Sequence, residues 1–136
     1  NAFVAQFIGE NNRLTGFVHS IEGNHCQVEL DNGDHVQAFK VNVDAVGDRA
    51  TLSLRPERVE VNPEPGKFPN LFEAKVEELI YLGDHIRTRA SVCGHSDFIV
   101  KIPNASHHAA LNEGDIVKFG WSMEDCRALD VVEATN

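Results

Sequence analysis

The stretch HCQVELDNGDHVQAFKV, residues 25–41, decides the fold. Apolar and polar residues alternate on both sides of its centre, as they do in strands that have one buried face. Asn32 and Gly33 stand between the two runs, and both residue types accept the positive φ of a tight turn. The sequence therefore predicts a β-hairpin with Asn32–Gly33 at its tip.

The β pattern continues outward from this hairpin in both directions. The best helical candidate is the start of the chain, where Phe3, Val4, Phe7 and Ile8 form one apolar stripe. Three prolines and a glycine in residues 62–70 predict a connector between two β-rich halves. The strand-like segments are residues 13–22, 25–30, 35–41, 47–61, 71–82, 85–92, 97–102, 115–121 and 126–132.

The two halves of the chain repeat each other in the same order. Each half offers about four or five short strands, which is the size of an OB-like barrel. We therefore predict a mostly all-β protein with two OB-like β-barrel lobes and a short N-terminal helix. The matched segments are residues 12–18 with 70–76, 23–30 with 94–102, and 46–57 with 113–125.

The predicted domain boundaries follow from the repeat and the connector. Residues 1–12 form a linker helix, residues 13–61 the first lobe, residues 62–70 the proline-rich connector, and residues 71–136 the second lobe. Exchange of strands between the lobes, within one compact domain, is left open as an alternative. The chain starts without methionine, and we expect it to be part of a longer protein.

A proline interrupts the strand pattern in the stretch SLRPERVEV. Proline cannot donate to a sheet ladder and fixes its own φ, so Pro56 predicts a corner between two strands. We expect Leu52 and Leu54 to point into one barrel. Two roles stay open for Arg55 and Glu57, which flank the corner: contact with a partner subunit, or an exposed ion pair of little energetic weight.

The composition argues against several classes of protein. Twenty-one acidic residues against twelve lysines and arginines give a formal net charge of -9. Nucleic acids and anionic membranes attract basic faces, so neither is an expected partner. No apolar run approaches the roughly 18 residues of a membrane helix. Three widely spaced cysteines do not indicate a disulfide framework, and they favour a reducing compartment.

The sequence predicts no catalytic, cofactor-binding or metal-ligating residue. Glycine-rich phosphate loops of the GxxxxGK[ST] and GxGxxG types are absent. The strongest metal candidates among the seven histidines are His95, which follows Cys93 closely, and the adjacent pair His107 and His108. Their spacing matches no established ligand pattern, so surface and loop histidines are the favoured interpretation.

Two further features have a structural and a chemical interpretation. Cys126 stands among charged residues, yet no nucleophile signature surrounds it, and cysteine is often a small buried hydrophobe. Tyr81, Phe119 and Trp121 are either stacking residues for a small ligand or core residues of the two lobes. The core interpretation is favoured for both features.

Four phrases of the chain occur together, and in one order, in a known family. They are FVAQFIGENNRLTGFV (residues 3–18), LSLRPERVEV (52–61), ELIYLGDHIRTRA (78–90) and GWSMEDCRALD (120–130). These phrases resemble the exit from the ATPase domain, the Arg-Pro-Glu segment, the Tyr-Leu-Gly turn and the terminal segment of importer-type ABC transporter subunits. The fourth is similar to the polyamine (spermidine/putrescine) branch. The chain thus resembles the C-terminal regulatory region of such a subunit, the transport-associated OB (TOBE) domain.

The resemblance implies a non-catalytic dimerisation and regulatory role for two OB-like lobes. ATP and Mg²⁺ would bind only in the parent protein, because this chain lacks the Walker and signature motifs; residues 1–12 would be the tail of the ATPase domain. The implied partners are a second copy and, through the parent, the permease subunits at the cytoplasmic face of the bacterial inner membrane. A small-molecule or oxyanion-binding OB module is the alternative. The candidate interface or regulatory residues are Arg55, Pro56, Glu57, Tyr81, Gly83, Trp121 and Asp125.

Overall fold

The computed structural model describes residues 11–104 and 111–130. The predicted N-terminal helix lies outside these ranges, and within them the chain forms ten strands and one short 3-10 helix, Pro56–Arg58. The strands are β1 (Asn12–Glu22), β2 (His25–Leu30), β3 (His35–Lys40), β4 (Arg49–Leu54), β5 (Glu60–Val61), β6 (Asn70–Tyr81), β7 (His85–Val92), β8 (His95–Pro103), β9 (Ile116–Trp121) and β10 (Cys126–Asp130).

The strands form two lobes. The first is a closed barrel in the order β1-β2-β3-β10-β4, and the second is a five-stranded sheet in the order β5-β9-β6-β7-β8. The all-β prediction with two OB-like lobes is confirmed, although the second lobe is a half-barrel. We call these lobes the first barrel and the second sheet. No helix within the described part of the chain is long and apolar enough to cross a membrane.

The hairpin predicted from residues 25–41 is present as β2 and β3. Its turn spans four residues, and positive φ occurs only at Gly33, with φ +97°. Asn32 has another role there, because its side-chain Oδ1 accepts a hydrogen bond from the Asp34 backbone N–H at 3.1 Å. The turn thus uses the polar side chain of asparagine and the backbone freedom of glycine.

Each lobe contains one strand that comes from the other half of the repeat. Along the chain, this strand directly follows the last of the four main strands of the other lobe. β5 follows β4 along the chain but pairs with β9 of the second sheet. β10 follows β9 but lies in the first barrel, antiparallel to β4 and parallel to β3. The strand order therefore differs from the predicted boundaries of 13–61 and 71–136 at these two strands. The corner at Pro56 explains the first crossing, because it directs the chain from β4 towards the second sheet.

The internal repeat recurs in the backbone geometry. β1 has a bulge between Val18 and Ser20, and β6 has one between Val76 and Glu78. At each bulge, the Gly-Asp turn that precedes the fourth strand of that lobe forms two backbone hydrogen bonds with the bulged strand. They are Val18 N–H to Asp48 O (2.8 Å), Gly47 N–H to Val18 O (2.8 Å), Val76 N–H to Asp115 O (2.8 Å) and Gly114 N–H to Val76 O (2.7 Å).

One predicted match between the halves is wrong. Gly23 lies in the turn between β1 and β2, whereas Gly94 lies between β7 and β8. By strand order, the counterpart of the Gly94 turn is the turn that holds Gly33. All three glycines have positive φ, of +62°, +97° and +82°. Glycine marks each of these turns for the same conformational reason, so its spacing alone does not align the halves.

Two buried amides join the lobes at equivalent places. Asn12, the first residue of β1, donates from Nδ2 to Ile99 O at 2.8 Å and accepts from Ile99 N–H at 2.7 Å. Asn70, the first residue of β6, donates to Gln37 O at 2.9 Å and accepts from Gln37 N–H at 2.8 Å. Each amide pairs with both backbone groups of one residue in the opposite lobe, so the lobes are held in one arrangement.

Candidate functional site

The Arg-Pro-Glu corner divides into a buried residue and exposed neighbours. Pro56 is buried at the start of the 3-10 helix, where its missing N–H leaves no intrahelical bond unmade. Arg55 before it has extended backbone, with φ -74° and ψ 138°, and its side chain is exposed, as is that of Glu57. Leu52 and Leu54 are buried, as predicted, in the core of the first barrel.

Asp125 joins this corner from the turn between β9 and β10. Its Oδ1 lies 3.9 Å from Nε of Arg58, and its Oδ2 accepts a hydrogen bond from Ser122 Oγ at 2.9 Å. The corner and the returning strand β10 are therefore linked by one partly exposed ion pair. Arg58 was not among the predicted site residues, although it belongs to the same charged phrase.

A cleft of about 560 Å³ opens beside this ion pair, on the outside of the first barrel. Arg55 and Arg58 from the corner line it together with Arg127 of β10. We call it the corner cleft; its lining residues are Asn11, Phe39, Val41, Ser53, Arg55, Arg58, Glu124, Asp125, Arg127 and Leu129. The structure thus brings together Arg55 and Asp125, two predicted site residues that are far apart in sequence.

The corner cleft combines an apolar floor with charges of both signs. Val41 is 43% exposed although it is a large hydrophobic residue. The Arg127 guanidinium carbon lies 5.9 Å from the centre of the Phe39 ring, within the range of a cation–π contact. Glu124 adds an exposed carboxylate to the same cleft. A surface of this kind suits a protein partner better than a small polar ligand.

Tyr81 and Gly83 lie elsewhere, at the tip of the β6–β7 hairpin. The tip exposes three consecutive apolar side chains, with Ile80 39%, Tyr81 67% and Leu82 41% accessible. Asn104 holds the turn by donating from Nδ2 to the carbonyls of Leu82 and Gly83, at 3.2 and 2.8 Å. We call this surface the hairpin tip. Neither Tyr81 nor Gly83 lines the corner cleft.

Trp121 is a core residue and not an interface residue. Its side chain is fully buried, with 0% exposure, and its ring lies 5.8 Å from that of Phe98 and 5.3 Å from that of Phe72. Phe119 is buried beside them, so two of the three proposed stacking residues fill the second sheet's core. The prediction that Trp121 contacts a partner is incompatible with this burial.

The cysteines are chemically quiet. All three are buried and free. Burial raises the pKa of Cys126 to about 12, and it raises those of Cys26 and Cys93 above their usual range. The thiolate is the nucleophile and the metal ligand, so protonated thiols in these positions supply neither function near neutral pH.

A second cleft, of about 460 Å³, lies where the two lobes meet. It is lined by Arg13 of β1, by Arg87 and Arg89 of β7, and by His95 and Asp97 of β8. Arg89 also donates to Ser96 O at 2.9 Å and lies 3.7 Å from Glu78. The cleft is therefore cationic in its lining, with part of that charge balanced by neighbouring carboxylates.

A protein-family comparison identifies the region that contains the corner. The model of the TOBE domain matches residues 52–129, more than half of the chain. The chain belongs to the TOBE domain family. The matched region runs from β4 to β10, so it includes both strands that cross between the lobes of this TOBE domain.

Curated relatives of this TOBE domain are import ATP-binding proteins. The spermidine/putrescine import ATP-binding protein PotA of Rubrobacter xylanophilus is 31% identical over 131 residues, which is 95% of this chain and 34% of that protein. PotA of Roseobacter denitrificans is 33% identical over 105 residues, covering 77% of this chain and 29% of that protein. The chain spans about a third of the length of these relatives.

A solved structure has the same fold. The cytoplasmic molybdate-binding protein ModG, in a crystal form with molybdate bound, superposes with a TM-score of 0.75 over 88% of this chain and 95% of that one. Only 14% of the aligned residues are identical. The similarity therefore supports the arrangement of two OB-like lobes in this TOBE domain and carries no ligand across to it.

Proposed function

We propose that this chain is the non-catalytic C-terminal dimerisation and regulatory domain of the ATP-binding subunit of an ABC importer, of the polyamine type. The observation that carries the proposal is the match of 95% of the chain to about a third of a spermidine/putrescine import ATP-binding protein. ATP and Mg²⁺ would bind the remaining part of the parent protein. Its permease subunits would place the domain at the cytoplasmic face of the inner membrane.

The corner cleft is the surface that best suits a second copy of the chain. A twofold axis places the same patch of each copy against the other, so the patch must be complementary to itself. The corner cleft meets this condition, because Val41 offers apolar area while Arg55 and Arg127 lie beside Glu124. In a symmetric pair, an arginine of one copy faces a carboxylate of the other.

Such a contact has a clear role in a transport cycle. ATP hydrolysis separates two catalytic halves, which must meet again in the next turnover. A permanent contact elsewhere keeps their effective concentration high, so re-association becomes intramolecular. A β-rich domain whose lobes are joined by Asn12 and Asn70 is rigid enough to hold that contact.

Two experiments test the proposal. The coding sequence upstream of Asn1 is expected to contain a Walker A motif, a signature loop and a Walker B motif; an unrelated upstream sequence would remove the assignment. In the parent protein, Arg55→Ala is expected to weaken dimerisation and polyamine uptake while the fold is retained. Lys75→Ala, an exposed cation on β6, is the matched control and is expected to leave both unchanged.

A small-ligand module is the second candidate function. It is favoured by the cleft lined by Arg13, Arg87 and Arg89, because guanidinium side chains between two lobes suit an oxyanion. Calorimetry with molybdate, sulfate, sugars and polyamines tests it. Submillimolar binding of one class, weakened by Arg89→Gln, supports this candidate, and the absence of heat with every ligand argues against it.

A further inference from the structure

We infer that the first barrel carries a transition-metal site formed by His19, Glu29 and His35, which takes one Zn²⁺-like ion. The ligand atoms of these three side chains all lie within 4.8 Å of one another. The site uses none of the residues of the corner cleft or the hairpin tip. It is independent of the proposed importer function.

Three adjacent strands bring the ligands together. Glu29 of β2 and His35 of β3 are direct cross-strand partners, and Glu29 Oε1 lies 3.0 Å from His35 Nε2. His19 comes from β1, where the bulge between Val18 and Ser20 inserts it as an extra residue. Its ring centroid is 4.8 Å from that of His35. A bulge of this kind re-aims a side chain, and here it directs the imidazole towards the other two ligands.

Gln27 fixes the orientation of His35. Its side-chain Oε1 is the acceptor for Nδ1–H of His35 at 2.9 Å. The second ring nitrogen of His35, Nε2, lies 3.0 Å from the Glu29 carboxylate oxygen, so both groups present their ligand atoms to the same point. Metal-ligating histidines commonly donate their second N–H to an oxygen in the same way.

The donor set and the spacing select the class of ion. Two imidazole nitrogens and one carboxylate oxygen suit Zn²⁺ and its neighbours, whereas Mg²⁺ and Ca²⁺ prefer oxygen ligands alone. Bonds of about 2.0–2.2 Å place two ligand atoms of one zinc ion roughly 3–4 Å apart. The three ligand atoms, which lie within 4.8 Å of one another, must approach to this spacing to share one ion. All three side chains are exposed, so solvent water takes the fourth coordination position of the ion.

This site was not predicted from the sequence, because its ligands are not spaced as a motif. The residues weighed as metal candidates in the sequence were Cys93 with His95 and the pair His107 and His108, and surface and loop histidines were the favoured interpretation. The Cys93 thiol is buried with a raised pKa, and the two later histidines lie outside the described residues. The three strands align the ligands only after the first barrel has closed.

Isothermal titration of the whole metal-free chain with Zn²⁺ tests the site. One ion is expected to bind per chain, with little heat from Mg²⁺ or Ca²⁺. His35→Gln and His19→Gln are each expected to weaken binding at least ~10-fold, and Gln27→Ala by about 10–100-fold. His25→Gln is the matched control. His25 also lies near a carboxylate, 3.7 Å from Glu124, but in a pair that lacks a second imidazole. This variant is expected to bind Zn²⁺ as tightly as the unmodified chain does.

Two readings decide the outcome. Circular dichroism without metal checks that each variant folds. Because His19 and His35 lie on different strands, the test can still be made with one variant if the other does not fold. The inference is overturned if Zn²⁺ does not bind, or if both His19→Gln and His35→Gln bind it normally. Loss of binding in a His107→Gln/His108→Gln double variant would also overturn it, because the ion would then belong to that pair.

Discussion

At the scale of single residues, the fold depends on a few positions where the backbone of one strand or lobe needs a particular side chain. Asn12 and Asn70 are polar yet buried, with 6% and 1% exposure, because each pairs with backbone groups of the opposite lobe. Gly16 is needed for the opposite reason, because a side chain at this position would collide with the backbone of the neighbouring strand. Both requirements come from tertiary contacts, and neither is visible in local sequence.

Removal of an interlobe amide is expected to be costly. Asn12→Ala leaves the N–H and the carbonyl of Ile99 buried without their partner, at about 1–3 kcal/mol for each group. Urea denaturation should show this loss in the free energy of unfolding. Asn11→Ala is the control, because Asn11 is exposed and its amide donates to Ser53 Oγ at the surface; its cost is expected to stay below about 0.5 kcal/mol. Equal stability of the two variants would contradict the interlobe role.

A side chain at Gly16 is expected to prevent normal closure of the first barrel. An added Cβ would overlap the Glu29 carbonyl oxygen, on the neighbouring strand of the closed barrel. Gly16→Ala should therefore lower the midpoint of thermal unfolding strongly or abolish folding. At Gly83→Ala, where nothing lies within 4 Å, the midpoint should be almost unchanged. A Gly16→Ala variant as stable as Gly83→Ala would show that the strands part easily.

The buried thiols predict how stability depends on alkaline pH. The pKa of Cys126 is raised from 9.0 to about 12 in the folded chain, so the folded state keeps a proton that the unfolded state releases. The contribution of the protonated Cys126 thiol to the free energy of unfolding is therefore complete below about pH 9, and it is lost as the pH rises from there towards 12. The urea midpoint should fall over this range, and less steeply in Cys126→Ala. At pH 8 the native chain should react with a thiol reagent only after urea is added; rapid reaction of the native chain would contradict the burial.

At the scale of elements, the exchanged strands are the main feature that the sequence left undecided. The strands themselves follow from alternation and from turn residues such as Gly33, which act locally. The partner of each strand does not, because β5 and β10 have no property that assigns them to one lobe. Exchange of strands was left open from the sequence; in the structure β10 pairs with β3 and β4 of the first barrel.

Removal of β10 is expected to open the first barrel although residues 12–61 remain. A chain that ends at Asp125 leaves unpaired edges on β3 and β4, which are then free to aggregate. Gel filtration and far-ultraviolet circular dichroism should show association or loss of β structure. A chain that ends at Asp130 retains β10 and is the control. It is expected to show the same association state and β content as the full 136-residue chain. A folded, monomeric chain ending at Asp125 would show that the first barrel does not need this strand.

At the scale of the whole molecule, the site was predictable in part. The charged corner around Pro56 was found from sequence because a proline in a strand is locally anomalous, and Arg55 and Asp125 do line one cleft. Val41 and Phe39 were missed, since an apolar residue in a β pattern is ordinarily assigned to the core. Trp121 was given both a core and an interface interpretation, since a single tryptophan fits either, and its complete burial agrees with the favoured core interpretation.

The central proposal is that two copies of this domain pair through the corner cleft, and sedimentation equilibrium of the chain tests it most directly. Between low micromolar and near-millimolar concentration, the mass should rise from monomer towards dimer. Val41→Asp, which puts a charge in the corner cleft, should remain monomeric, while Tyr81→Asp, with the same charge on the hairpin tip, should dimerise normally. A single monomeric mass at every concentration, or unchanged dimerisation of Val41→Asp, would contradict the account.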